Sequence, residues 1–586
     1  MDTMDNKQRT KHKLQSTILL LIGVLLLTIL VYSNSFSCGW HLDDTHAILE
    51  FDYQNATPES VFKFSPQRSL GFFTFWLNYK ISNYEIFSWH FINLLIHLFN
   101  VVLVYFLSLL VFQPPKNVDC SRHFLGIEKI TALIIAAIFA VHPLQAHAVT
   151  YIVQRIELLG TTFVLLSFIS MLKVYFSKTF LQKVLWIIIA LLIMICGALT
   201  KETIAAAPVL CCLFLLLTQL RSKKAVFLAI LIFGGFGVAA VIAGLIGFKA
   251  LTFSPLNISF APFKVLWKDA LMTPAEYYPT QAVVLLKFLR MCIFPAGQCV
   301  EHFVKPVGIG FAFFAAIFVQ LLIILFALFN VRRRPMILFG ILWFYVFILP
   351  SSIMPNGVFE HRLYGPLIGI LIAIAIPVSW EIHSLPARRR KPTASISVCL
   401  ALCIIISFSF LTHVRNKVWK SELTLWSEAV NKYPENWRAN ANYGFALLNN
   451  DRLQDAGKYL EKSFQQKSNV YLVANNLGLF YFYTGQMKKS AETFNYALKL
   501  KPKNRMLMGN LGAVYLSMDE IENGTNLLEK ARTPESFITL GDYYFSRGDL
   551  TNSLRCFERV LKKYPDEEDA KVGKAKVLEI LIKNSN

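Results

Sequence analysis

The chain has 586 residues, 55% hydrophobic and 14% aromatic, with only 16% charged. Soluble domains carry roughly a quarter charged residues, so a water-soluble globular protein is excluded for most of this length. The net charge of +21 would suit nucleic acid, but the basic residues fall in short clusters between apolar runs: Lys11 and Lys13, Arg221–Lys224, Arg332–Arg334 and Arg388–Lys391. That is the pattern of cytoplasmic loops in a multi-spanning membrane protein, and nucleic acid is not an expected partner.

In chain order, a basic tail (1–15) precedes an apolar run at 16–34. No small-residue cleavage site follows that run, so it reads as an anchor. Further runs long enough to span, or nearly so, lie at 89–112, 130–147, 156–176, 184–199, 204–220, 225–248, 308–330, 336–350, 363–380 and 394–412. A twelfth stretch, 281–297, is short and carries Lys287 and Arg290. Counting it as a span would put Arg332–Arg334 and Arg388–Lys391 on the wrong side of the membrane. It is therefore expected as a re-entrant or interfacial helix whose two cations reach toward headgroups.

The expected count is about 11 spans, with the N-terminus in the cytoplasm. The loops 35–88 and 249–307, the Lys201–Glu202 junction, Glu360–His361–Arg362 and everything after residue 413 then share the external face. The ten cysteines show no metal-ligand spacing, and several sit in apolar runs as small hydrophobes. Cys38 and Cys299 both fall on the external side, but spacing alone does not pair them.

After about residue 413 the apolar runs stop and a repeat begins. The segments "NYGFALL", "NLGLFYF", "NLGAVYL" and "TLGDYYF" align on Gly444, Gly478, Gly512 and Gly541, the first three 34 residues apart and the last 29. Thirty-four is the tetratricopeptide period, with small residues where paired helices cross. Units are expected near 437–470, 471–504, 505–533 and 534–567, with a trimmed turn around "ARTPES". Trp426, Ala429 and Pro434 read as half of an incomplete repeat. The fold class is thus all-α: a polytopic helical membrane domain (16–413), then a tetratricopeptide α-solenoid (414–586) whose concave face suits an extended peptide.

Ionisable residues in or beside spans are costly and mark sites by default. "CGWHLDDTHAIL" places Asp43 and Asp44 together, "SPQRSLGFF" carries Arg68, and "AVHPLQAHAVTYIVQRIELLG" carries His142, Arg155 and Glu157. "GALTKET" puts Lys201 and Glu202 between two apolar helices, and "NGVFEHRLYGP" groups Glu360, His361 and Arg362. The structural alternatives are a solvated helix end at Asp43–Asp44, a headgroup anchor at Arg68 beside Trp76 and Tyr79, and a surface Arg155–Glu157 pair. Carboxylates and cations on one membrane face suit chemistry on an anionic lipid. Cations hold a departing phosphate, while a carboxylate takes the proton of an attacking hydroxyl. The adjacent aspartates would raise one another's pKa, or bind a divalent cation.

The ordered series "WHLDDTHAI", "RSLGFFTFWLNY", "HPLQAHAVTYIVQRIELL", "LTKET" and "EHRLYGP", followed by tetratricopeptide repeats, resembles the transmembrane and tetratricopeptide-repeat family. The resemblance implies a GT-C fold and an O-mannosyltransferase-like activity that uses a polyprenyl-phosphate sugar donor and a protein Ser/Thr acceptor. It implies that Asp43 or Asp44 is the catalytic base. It places Arg68, His142, Arg155, Lys201, Glu202, Glu360, His361 and Arg362 near the lipid phosphate. The repeats would then lie in the periplasm of a bacterium or the endoplasmic-reticulum lumen of a eukaryote. The chain departs from the pattern at Ser69, where a proline is usual, and at "FPAGQCVEHF" (294–303), which lacks the usual polar pattern. Two alternatives remain at this stage: transfer to a glycan or lipid acceptor, and a non-enzymatic membrane scaffold that displays the repeats.

Overall fold

A computed structural model describes residues 2–112, 127–219, 272–353 and 357–585. The chain divides into two compact units, Met1–Ser421 and Glu422–Asn586. Both are helical, and the described residues hold no strand beyond one isolated bridge, His302 to Val358.

In the first unit, α1 (Asp2–Tyr32) leads into a loop with two short helices, α2 (Pro58–Phe64) and α3 (Ser69–Ser82). There follow α4 (Ile86–Val111), α5 (Ile127–Val141), α6 (Ala146–Thr150), α7 (Arg155–Phe176), α8 (Phe180–Ala198) and α9 (Ala206–Gln219). After them come α10 (Pro274–Ile293), α11 (Phe311–Asn330), α12 (Pro335–Ile353), α13 (Pro366–Ser384) and α14 (Ala387–Val418). Among the described residues, eight helical stretches are long and apolar enough to cross a membrane. Two more of the eleven expected spans are present in altered form. One is α5 with α6, bent by 48°, and the other is the short apolar helix Glu202–Thr218. The eleventh, 225–248, lies outside the described residues, as do the Arg221–Lys224 cluster and the first part of the loop from 249.

The bend has a local cause. Pro143 has no N–H to give a helix, and the residue before a proline is pushed out of the helical region. His142 accordingly takes an extended backbone, and its ring Nδ1 accepts the Leu144 N–H to start a new turn. Burial separates two kinds of span. The stretch containing α7 is 67% buried, whereas that of α8 is 11% buried and presents Leu185, Ile188, Leu192 and Ile195 outward. An outward apolar face is what a lipid-facing helix needs, since lipid tails are as apolar as leucine. Helices α12 and α13 cross closely enough that a Cβ on Gly340 would collide with the Gly369 carbonyl. Only glycine allows two backbones that near.

The last span runs further than its hydropathy implies. The polar stretch 414–420, assigned from the sequence to the repeat domain, is mostly the end of α14. Its polar groups bond back into the first unit: Thr412 Oγ1 donates to the Val141 carbonyl (2.7 Å), and Asn416 Nδ2 donates to Asn34 Oδ1 (3.0 Å). Polarity here reflects partners, not solvent, and the unit ends at Ser421 instead of 413.

The second unit opens with α15 (Glu422–Lys432). Four helix pairs follow: α16 (Trp437–Leu448) with α17 (Leu453–Gln466), and α18 (Tyr471–Tyr483) with α19 (Met487–Leu500). Then come α20 (Arg505–Ser517) with α21 (Ile521–Ala531), α22 (Pro534–Ser546) with α23 (Leu550–Leu561), and finally α24 (Glu568–Ser585). The glycines lie where the paired helices touch: a Cβ on Gly478 would meet the Phe494 ring at 2.9 Å. A hydroxyl stitches the same crossing, with Ser490 Oγ donating to the Gly478 carbonyl and Ser553 Oγ to the Gly541 carbonyl. The 29-residue spacing also has a physical origin. Helix α21 has 11 residues where α19 has 14, and the next turn contracts to Arg532–Thr533. Arg532 takes a left-handed conformation and Thr533 caps α22 through a reciprocal box, with Pro534 at its first position.

Candidate active site

The loop after α1 turns sharply at Leu42, whose φ of 50° is unusual for a branched residue. Such a backbone costs about 1–2 kcal/mol and persists only where the surroundings hold it. They do. The Asp44 N–H donates to the His41 carbonyl (2.9 Å), the His41 N–H donates to Asp44 Oδ2 (2.9 Å), and the Asp43 N–H donates to the Tyr151 hydroxyl (2.8 Å). Asp44 Oδ1 accepts the Val153 N–H (2.8 Å), so both carboxylate oxygens of Asp44 are spent on backbone. Asp44 is fully buried, and burial pushes its pKa up to about 7 despite the two N–H donors. Asp43 is exposed. The two aspartates are therefore placed differently: Asp44 ties the loop to the turn before α7, and the Asp43 carboxylate faces outward. No group of three or more potential metal-ligating side chains occurs among the described residues.

A continuous aromatic wall starts at Asp43. Tyr151, whose hydroxyl meets Asp43, stacks on Trp419 at 5.4 Å between centroids. The His147 ring stands 4.9 Å from Trp419 and 4.9 Å from His361. Around His361 the structure gathers Lys201, Arg362 and Arg68, close enough that, after burial, their charges help keep its imidazole neutral. Arg68 faces Glu202 at 3.9 Å in a half-exposed pair, a geometry worth little in water. Lys201 is buried and bonded to the buried Glu157 carboxylate. Arg362 donates to the Ser351 carbonyl (3.3 Å) and lies over the Phe359 ring, with Glu157, Glu202 and Glu301 close enough to steady its charge. Arg68, Lys201, Glu202, His361 and Arg362, distant in sequence, thus form one charged cluster.

Three of the expected phosphate-binding residues are used up elsewhere. His142 Nε2 donates to the Cys292 carbonyl (3.2 Å) while Nδ1 caps the next turn, so neither nitrogen is left for a ligand. Arg155 is fully buried and pairs with neutral acceptors instead of forming a surface pair with Glu157. It donates to Asn93 Oδ1 (2.8 Å), Asn78 Oδ1 (2.7 Å), the Trp89 carbonyl (3.1 Å) and the Thr74 carbonyl (3.2 Å). Its guanidinium also lies over the Phe75 and Trp89 rings, clamping α3 and α4 to the start of α7. Glu360 accepts from the Cys299 N–H (2.6 Å), His302 Nε2 (2.8 Å) and Gln298 Nε2 (3.3 Å). Burial alone would raise the Glu360 pKa; the His302 bond and the positive charge of Arg415 outweigh it and hold it at about 2. The stretch 294–303, which looked short of polar pattern, supplies these partners. Lys287, expected to reach headgroups, is half-buried and feels the Glu360 charge, whereas Arg290 is exposed. Cys38 and Cys299 are free thiols.

Comparison with known proteins gives two kinds of match. Tetratricopeptide-repeat family models match residues 473–504 and 538–581. The chain is 26% identical over 601 aligned positions to the human protein O-mannosyl-transferase TMTC3, a match covering 91% of this chain and 62% of that protein. The similarity to TMTC3 thus runs along most of this chain. It is also 24% identical to the Caenorhabditis elegans protein O-mannosyl-transferase F38B6.6, covering 78% of this chain and 64% of that one. It spans about three fifths of the length of these curated relatives. Among solved structures, a thermophilic tetratricopeptide-repeat protein from Thermus thermophilus matches at 19% identity and a TM-score of 0.26, over 30% of this chain and 94% of that one.

Proposed function

We propose that the protein is a membrane glycosyltransferase of the GT-C type. It moves a mannosyl group from a polyprenyl-phosphate donor to a Ser or Thr hydroxyl of a protein, on the external side of the membrane. The observation that carries this reading is the gathering of Arg68, Lys201 and Arg362 around His361, joined to the exposed Asp43 by the Tyr151–Trp419–His147 wall. The relatives' printed activity, protein O-mannosyl transfer, favours mannose and a protein acceptor.

The chemistry is one displacement. The acceptor oxygen attacks the anomeric carbon of the sugar, the bond from that carbon to the phosphate oxygen breaks, and the hydroxyl proton passes to the Asp43 carboxylate. The polyprenyl phosphate leaves with one more negative charge than it had as a diester. Arg68 and Arg362 are the cations with donors to offer it, and Lys201, locked to Glu157, holds a fixed positive edge beside them. Such preorganised charge needs no rearrangement as the phosphate departs. The repeats select the acceptor. They lie with the site in the bacterial periplasm, or in the endoplasmic-reticulum lumen of a eukaryotic host.

The test is an assay with the purified full chain, polyprenyl-phosphate mannose and a Ser/Thr-containing peptide. The expected result is a peptide that gains one hexose in step with release of polyprenyl phosphate. Release that occurs only with a glycan or lipid acceptor would replace the protein acceptor. No release under any condition would leave the scaffold reading.

A further inference from the structure

Buried polar atoms without a partner are rare, because each has given up its bonds to water and gained none in return. Among the described residues, several of them converge beside the charged cluster. Gln145 is fully buried, yet neither its Oε1 nor its Nε2 has a hydrogen-bond partner. His147 Nδ1 and Trp419 Nε1 are buried and unpartnered in the same way. The three residues meet at one place in the fold. The turn Pro143–Gln145 and helix α6, which carries His147, both pack on the turn Glu360–Leu363 and on α14, whose end leads directly into Trp419.

The rest of each side chain is already committed. Trp419 has Tyr151 stacked on its ring and His147 against it, and its carbonyl accepts from His41 Nε2, so its N–H edge is what remains. His147 turns Nε2 toward His361 Nδ1 at 3.3 Å, which leaves Nδ1 unused. The leftover groups are an amide, an indole N–H and an imidazole nitrogen. They are uncharged and offer both donors and an acceptor. The one cation whose charge reaches His147, Arg415, is offset by the Glu360 carboxylate beside it, and hydroxyls that donate and accept in turn match the uncharged set that remains.

We propose that Gln145, His147 and Trp419 form the subsite that binds the hydroxyls of the transferred sugar, next to the cations that take its phosphate. This rests on the glycosyltransferase reading and extends it to the ligand's uncharged half. A site built to hydrogen-bond hydroxyls discriminates strongly against a ligand lacking them, since its own polar groups are then stranded.

The test compares polyprenyl-phosphate mannose with the bare polyprenyl phosphate, each titrated into the full chain in detergent. Gln145→Met keeps length without polarity, and Trp419→Phe removes the N–H while keeping an aromatic ring. Each variant is expected to weaken binding of the mannosyl lipid about tenfold or more and to leave the bare lipid within about twofold. For Gln145→Met the midpoint should hold because apolar atoms replace unsatisfied ones, whereas Trp419→Phe also removes buried ring atoms and is judged by the difference between the two lipids. Equal weakening toward both lipids, no weakening toward either, or a lowered midpoint in both variants overturns the subsite and makes these groups structural. A wild-type chain that binds neither lipid overturns the glycosyltransferase reading itself, and the subsite with it.

Discussion

The two units solve the problem of polar groups in opposite ways. In the second unit the buried polar residues are serines and asparagines: Asn436, Asn440, Ser463, Asn475, Ser490, Ser536 and Ser553. Its charges stay at the surface, as in the exposed Arg452–Asp455 and Arg547–Asp519 pairs. The first unit buries Asp44, Arg155, Glu157, Lys201, Glu360 and Arg415. Buried charge is costly in any protein and more so beside lipid. A repeat array needs only shape, so its core is alanine, leucine, phenylalanine and glycine. The first unit retains charge where it fixes a loop or joins helices, as at Asp44 and at Lys201–Glu157.

The contrast can be broken most sharply at Lys201. Lys201→Met leaves Glu157 buried without its partner, and a loss of roughly 3–5 kcal/mol is expected, read as a lower unfolding midpoint in detergent. Pairing it with Glu157→Leu should recover most of that loss; a double variant no better than the single would show that the ion pair is not the cause. In the repeats the largest effect should be steric. Gly478→Val drives a side chain into the Phe494 ring, for about 1–3 kcal/mol, whereas Arg452→Ala in an exposed pair should not shift the midpoint measurably.

Asp44 adds a pH signature. With its folded pKa at about 7 against an ordinary 3.8, the folded chain holds a proton that the unfolded chain has lost between those values. Its contribution to stability therefore falls as pH rises from about 4 to 7. Glu360 has the opposite sign: its contribution is present above its ordinary 4.5 and is lost as pH falls toward 2. Subtracting the pH–stability curve of Asp44→Asn from that of the parent should isolate the first slope. A flat difference between about pH 4 and 7 would place Asp44 in an environment other than the buried one described.

What could be read in the sequence was whatever local spacing determines. Gly444, Gly478 and Gly512 carry the repeat because one helix crossing recurs once per unit. Even the contraction at "ARTPES" was visible, although its division between a short α21 and a two-residue turn was not. Apolar run lengths marked the spans, and Pro143 marked a break. Long-range pairing left no such trace. Arg155 is satisfied by Asn78 and Asn93, ordinary neutral residues some 60 to 80 positions upstream. Glu360 is held by a segment that had looked short of polar pattern, and 414–420 read as part of the repeat domain because its helix-to-helix bonds are invisible in one dimension. The pair Asp43–Asp44 stood out as a candidate in the sequence, but the burial of one and the exposure of the other depend on the left-handed turn at Leu42 and on the Val153 N–H. Gln145 and Trp419 carried no signal at all, since a lone amide and a lone indole in an apolar neighbourhood look like core.

The central claim is that the exposed carboxylate of the first loop takes the acceptor's proton while its buried neighbour only holds the loop. The direct measurement is single-turnover transfer from polyprenyl-phosphate mannose to a Ser/Thr peptide by Asp43→Asn, with donor affinity measured on the same preparation. The rate is expected to fall by roughly 10²–10⁴-fold with donor binding unchanged, because the asparagine preserves shape and removes only the base. An Asp43→Asn enzyme that transfers mannose at the parent rate would contradict it.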